Sequence, residues 1–108
     1  MYNTNMKSET FGLDWSPQAN FDSVRVYMAT PEGRKYSNNP LLQKLAKDHG
    51  KTLDACELKQ AQIAAVLSEN NGMCHVQLET LEAITRYARS HRRHDIYAKV
   101  AKFRRKIS

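Results

Sequence analysis

Apolar residues recur along this chain at three- and four-residue intervals, the spacing that puts them on one face of an α-helix. Phe21, Val24 and Met28 follow this spacing after Ser16–Pro17. That pair suits a helix start, because a serine hydroxyl caps unpaired N–H groups and proline needs no N–H of its own at the first position. The Thr30–Pro31 pair then predicts the end of this first helix.

The next two helix starts follow the same local rules. Asn39 is the predicted cap of a short second helix and Pro40 its first residue, after a segment 32–36 that could form a further turn. Gly50 predicts the end of that helix, because glycine accepts the left-handed backbone of a C-cap. Thr52 is the predicted cap of a third helix. The buried face of the second helix is predicted to consist of leucines, namely Leu41, Leu42 and Leu45.

The third helix carries an apolar stripe too wide for a helix that packs on one side. One predicted face consists of Leu53, Cys56, Ile63 and Leu67, and a neighbouring one of Leu58, Ala61 and Ala65. The width predicts the central helix of a bundle. Asn70–Asn71–Gly72 predicts its end, because these residues tolerate left-handed backbone.

Two more helices complete the prediction. One runs from near Val76 to about Ser90, and a turn at 91–94 separates it from a last helix beginning near Asp95. The apolar stripe of the last helix comprises Ile96, Val100, Phe103 and Ile107. The sequence therefore predicts an all-α, single small domain at 16–108, an orthogonal or bundle-like array of four to six helices. A flexible or extended N-terminal arm is expected at 1–15.

Trp15, at the end of that arm, has two interpretations. It packs onto the helical core, as buried aromatic side chains usually do, or it stays exposed and anchors a protein partner.

Composition narrows the class of protein. With 108 residues, 41% apolar and 26% charged, the chain is expected to be one soluble globular domain. Its longest apolar run, Ile63–Leu67, is far shorter than the roughly 20 residues of a membrane span, and residues 1–6 lack the pattern of a secretion signal. We therefore expect a cytoplasmic protein with no membrane association. Cys56 and Cys74 fit a reducing compartment, although a disulfide between them stays open at this point.

Positive charge is concentrated in the last quarter of the chain. Residues 86–108 contain nine cations and one acid, a net charge of +8, whereas the whole chain carries +6 and residues 1–85 therefore sum to −2. The cations are Arg86, Arg89, Arg92, Arg93, Lys99, Lys102, Arg104, Arg105 and Lys106. Such a patch attracts the phosphate backbone of nucleic acid, and the nearby Tyr87 and Tyr97 could stack on bases.

Two other interpretations compete with a nucleic-acid-binding protein. The basic end could dock on an acidic surface of a larger protein, such as a nucleic-acid-processing enzyme, as regulators or inhibitors from phages and mobile elements of this size do. It could also be ordinary surface, with Arg86 paired to Glu82 and cations complementing a helix C-terminus. A homodimer is compatible with either binding function.

A helix-turn-helix fits the sequence poorly. Residues 60–67 resemble the first helix of that unit, with a small Ala64 at the crossing point. The turn at 68–72 is, however, longer and more polar than the unit requires, and the next helix begins with acidic residues that a DNA groove would repel.

Metal and catalytic motifs are weak. Cys74–His75 and the pair His91 and His94 have ligand chemistry, but no Cys-x-x-Cys accompanies them, so no metal or other cofactor is expected. The glycines are scattered at 12, 33, 50 and 72, which excludes a phosphate-cradling loop. No nucleophile–histidine pair can be named, so no catalytic residue is assigned and the chain is expected not to be an enzyme.

Overall fold

The computed structural model describes residues 15–30, 38–68 and 75–107, and within them the protein is all-helical. The five helices in these segments are α1 (Pro17–Ala29), α2 (Pro40–His49), α3 (Leu53–Leu67), α4 (Leu78–Ser90) and α5 (His94–Ile107). The predicted all-α, single-domain fold is confirmed. The predictions for residues 1–14, the turn at 32–36, the end of the third helix at 70–72 and Cys74 fall outside the described residues.

Capping side chains begin the first three helices as the sequence predicts. Ser16, Asn39 and Thr52 each accept a hydrogen bond from a backbone N–H two or three residues later, at 2.9–3.0 Å. Gly50 ends α2 with φ of 62°, the left-handed conformation in which a side chain would be strained. These termini follow from local chemistry and therefore could be located from the sequence.

α3 is the central helix, since it packs against all four of the others. Its buried side chains are not all apolar, however. Leu58, predicted to be buried, is 50% exposed, whereas Lys59, Gln60 and Gln62 are buried. This part of the prediction is wrong because polar side chains of α3 find hydrogen-bond partners on neighbouring helices, which offsets the cost of burying them.

Two apolar clusters flank α3. The larger joins Ile63 to α1, α4 and α5, and the smaller joins Cys56 to α1 and α2. Trp15 belongs to the smaller cluster and is 7% exposed, so it packs on the core and does not project outward as a partner anchor. Cys56 is a fully buried free thiol, and burial raises its pKa to about 11, which makes it an inert core residue.

A tight turn at residues 91–93 connects α4 to α5, as predicted. Arg92 has φ of 54°, and the backbone N–H of Arg93 donates to the carbonyl of Ala88 at 2.8 Å. Left-handed backbone at this point reverses the chain. The turn thus places the end of α4 beside the start of α5. None of the helices in the described segments is both long enough and apolar enough to cross a bilayer.

Candidate nucleic-acid interface

The outward side of α5 is cationic over its last two turns. Ile96, Val100 and Phe103, spaced i, i+4 and i+7, are buried and hold the helix against the core. The cations that follow are therefore turned to solvent on the remaining sides of the helix. With two arginines near the end of α4, the exposed cations of this region form what we call the outer basic face: Arg89, Arg92, Lys102, Arg104, Arg105 and Lys106.

A hydrogen bond joins the two helices within this face. The guanidinium of Arg89 donates to the hydroxyl of Tyr97 at 3.0 Å, and Tyr97 is 42% exposed. Arg104 lies seven residues after Tyr97, so it shares the same side of α5 two turns later. An aromatic ring thus lies between cations on one side of the face, an arrangement that suits stacking of a base between phosphate contacts.

The three predicted cations outside this face each have an identified contact within the protein. The Arg86 guanidinium lies over the Phe21 ring, 4.3 Å from its centroid. Lys99 donates to the carbonyl of Leu67 at 2.9 Å and so satisfies a backbone acceptor at the C-terminus of α3. Among the described residues, the Arg86–Glu82 ion pair that belonged to the ordinary-surface interpretation is absent.

Arg93 is the third of these cations. Its guanidinium donates twice to the carboxylate of Asp95, at 2.9 and 3.0 Å. These hydrogen bonds, followed by the charge of Arg93, lower the pKa of Asp95 to about 2. Both groups are therefore charged at physiological pH and the pair is net neutral, so Arg93 attracts a phosphate less strongly than an isolated arginine would.

The two predicted stacking residues differ in their surroundings. Tyr87 is half-buried, packs against the larger core cluster, and stacks on the His91 ring with 3.9 Å between centroids. His91 is itself held by contacts with Ser90 and the Tyr87 carbonyl. Tyr97 is thus the exposed aromatic residue of the outer basic face, and Tyr87 supports the end of α4.

A cavity away from the outer basic face contains a histidine–carboxylate pair that the sequence did not reveal. His49 Nε2 lies 2.9 Å from Asp22 Oδ2 beside a cavity of about 230 Å³ between α1 and α2. Burial alone would raise the pKa of Asp22, but hydrogen bonds from His49, Gln18 and Arg25 outweigh it and lower the pKa. The two residues lie 27 positions apart, so only the packing of two helices reveals the pair.

The carboxylate of this pair orients the imidazole, but no hydroxyl or thiol side chain is found beside it among the described residues. No serine, threonine or cysteine is among the described residues that line its cavity. In the described part of the chain, no three histidine, cysteine or acidic side chains cluster closely enough to hold a metal ion. The pair therefore links α1 to α2 through a hydrogen bond and does not form a recognisable nucleophile–base site.

Buried Lys59 is the other polar feature that the sequence analysis did not single out. Its Nζ donates to Gln77 Oε1 and Thr80 Oγ1, both at 2.9 Å, and Thr80 donates to Gln62 Oε1 at 2.9 Å. Burial lowers the pKa of Lys59 to about 8, although Glu79 partly opposes this shift. This network joins α3 to the start of α4.

Neither the sequence nor the fold supplies a relative from which a function could be inferred. No family model, curated protein or solved structure matches this chain. The geometry and charge of its own residues therefore have to support any assignment of function.

Proposed function

We propose that this protein is a small, non-enzymatic nucleic-acid-binding protein of the cytoplasm, and that its outer basic face engages the phosphate backbone with little sequence readout. The observation that carries the proposal is the set of six exposed cations on the last two helices and the turn between them. Lysine and arginine contacts to phosphates release bound counterions, which favours binding whatever the base sequence.

The form of the face favours single strands. Tyr97 is exposed and its hydroxyl holds the guanidinium of Arg89, so one side of the face presents an aromatic ring between positive charges. Unpaired bases can stack on such a ring, whereas the bases of a duplex are already stacked on each other.

A protein partner on an acidic surface remains the alternative, and it would favour exposed apolar residues beside the charge. Among the described residues, three leucines are exposed: Leu41 on α2, which was predicted to be buried, Leu58 on α3, and Leu78 at the first position of α4. Leu78 is eleven residues before Arg89, about 16 Å along the helix axis. Leu78 therefore lies at the opposite end of α4 from the outer basic face, which favours nucleic acid as the partner.

A salt series tests this proposal. With labelled single- and double-stranded DNA and RNA, six phosphate contacts give a log–log salt slope of about −5 on duplex and about −4 on single strands. If all nine cations bound phosphates, the slope on duplex would be about −8. Fluorescence anisotropy between about 50 and 300 mM salt measures these slopes.

Two results would contradict the proposal. One is the absence of binding at the lowest salt, and the other is a salt slope near zero. In either case an acidic protein, or a second copy of the chain, becomes the partner to test, and size-exclusion chromatography with light scattering would detect the homodimer.

Tyr97 provides a test of the single-strand preference. We expect Tyr97→Ala to weaken single-strand binding by about tenfold, because stacking of one base contributes about 1–3 kcal/mol. Duplex binding should change much less, and Tyr97→Phe, which keeps the ring, should retain most of the affinity. Equal losses on single and double strands in Tyr97→Ala would show that the ring does not stack on bases.

A further inference from the structure

His91, in the turn after α4, carries an aromatic ring that the fold holds in one orientation. The ring stacks on Tyr87 with 3.9 Å between centroids and 15° between the ring planes. Its Nδ1 lies 3.1 Å from the Tyr87 carbonyl, and Nδ1 is the donor because a carbonyl oxygen only accepts. A stack and a hydrogen bond thus fix the ring, so a ligand that binds on it takes away little side-chain freedom.

The support behind this ring belongs to the core of the protein. Tyr87 packs against the larger apolar cluster, and its ring lies beside Phe21 of α1 with 6.2 Å between centroids. His91 itself is exposed. Since Tyr87 covers one face of the imidazole, a flat ligand would stack on the opposite face. Histidine is one of the side chains on which unpaired bases stack.

His91 and Tyr97 lie on opposite flanks of the end of α4. Tyr87, which supports the His91 ring, faces α1. On the other flank, Arg89 donates to Tyr97 of α5 at 3.0 Å. The distance across is about the diameter of one helix with its side chains, 10–12 Å. Arg92, an exposed member of the outer basic face, follows His91 in the turn that joins the two flanks.

We infer that a single strand of nucleic acid crosses the end of α4, with one base stacked on His91, another on Tyr97 and a phosphate on Arg92. The inference rests on the proposed function and adds to it a second stacking residue and a path for the strand. The bases of a duplex are stacked on each other, so only an unpaired strand can use both rings.

Strands with and without bases test the role of His91. An oligothymidylate of about ten nucleotides and an equally long strand of abasic sites carry the same phosphates and differ in their bases alone. His91→Ala should weaken binding of the oligothymidylate by about tenfold and change binding of the abasic strand by less than about twofold. Fluorescence anisotropy at about 50 mM salt measures both affinities.

Two further variants separate the ring from other effects of the substitution. His91→Tyr keeps an aromatic ring at this position and should retain most of the affinity for the oligothymidylate. His94→Ala removes another exposed histidine, at the first position of α5, and should leave the affinity unchanged. An unchanged affinity in His91→Ala would overturn the inference. Equal losses on the two strands would also overturn it, because they would show that the variant disturbs the neighbouring cations.

A double variant tests the path of the strand. If one strand contacts both rings, His91→Ala/Tyr97→Ala should bind the oligothymidylate about a hundredfold more weakly, the product of two tenfold losses. A double variant that binds as well as either single variant would overturn the path across α4. Failure of the native protein to bind either strand at the lowest salt is a separate result, which would overturn the proposed function and this inference with it.

Discussion

The variant Arg104→Glu/Arg105→Glu is expected to bind short DNA and RNA at least about a hundredfold more weakly than the native protein at physiological salt. It removes two of the six cations of the outer basic face and adds two anions beside the others. Both side chains are exposed on α5, so the core should be unaffected and the thermal unfolding midpoint should stay close to the native value. Fluorescence anisotropy measures the affinity.

A matched control separates a local effect from overall charge. Lys44→Glu/Lys47→Glu changes the net charge by the same amount, at exposed positions of α2. Lys44 pairs with Asp48 at the surface, and such a pair contributes little to stability. If the outer basic face binds nucleic acid, this control should lose less than about threefold in affinity. Equal losses in the two variants would show that binding is spread over the whole protein.

Neutral substitutions distinguish binding cations from structural ones. Arg104→Gln/Arg105→Gln should reduce the magnitude of the salt slope by about two, one unit for each phosphate that the variant no longer neutralises. Lys99→Gln should leave the slope unchanged and lower the unfolding free energy, because the native lysine donates to the Leu67 carbonyl at the end of α3. A smaller slope in Lys99→Gln would mean that this lysine also reaches phosphate.

The helix termini could be predicted because their causes are local. Ser16, Asn39 and Thr52 cap helices through bonds to residues two or three positions away, and Gly50 adopts a backbone that glycine tolerates on its own. The predicted start of α4 was less accurate. Val76 is buried but precedes the helix, which begins at Leu78 after Gln77, a residue whose side chain makes no capping bond. Without that local signal, burial alone misplaces the boundary.

The burial of polar residues on α3 could not be predicted, because their partners lie far away in the sequence. Gln60 donates to the carbonyl of Ser23, 37 residues before it, and Lys59 donates to Thr80, 21 residues after it. A periodic pattern ranks positions by hydrophobicity and therefore placed Leu58 inside. Hydrogen bonds to neighbouring helices accommodate the polar side chains that α3 buries.

The same limit applies to the basic end. The sequence showed nine cations but not which of them the fold would engage. Arg86 lies over a ring 65 positions earlier, and Lys99 donates to a carbonyl 32 positions earlier. The contact of Arg93 with Asp95 is local, two positions apart, and is the one engagement that the sequence itself could have indicated. Charge therefore located the candidate surface, but the contacts of its individual cations could only be seen in the structure.

Lys59→Met is expected to abolish a rise in stability that the native protein shows at alkaline pH. The pKa of Lys59 is about 8 in the folded protein, against an ordinary value of 10.5. Between these values the unfolded chain binds more protons than the folded one, so the unfolding free energy increases with pH. Burying the charged ammonium lowers the unfolding free energy by its full amount below pH 8 and by nothing above pH 10.5. The unfolding free energy therefore rises by about 3 kcal/mol across this range.

The pH dependence is a better measure than stability at a single pH. At neutral pH, methionine removes the cost of a buried charge but leaves the oxygens of Gln77 and Thr80 without a donor from position 59, and these effects oppose each other. The two proteins differ only at position 59, so the difference between their two curves isolates Lys59. Urea unfolding at intervals from pH 7 to about 10.5 measures it.

Lys47→Met is the matched control, since it removes an exposed lysine of α2 and should keep the native pH dependence. If the Lys59→Met and native curves run parallel between pH 8 and 10.5, Lys59 has an ordinary pKa and water reaches its ammonium group. If they diverge as expected, the folded protein releases the Lys59 proton near pH 8. The hydrogen bonds that join α3 to the start of α4 would then come from a lysine whose charged form is destabilised by burial.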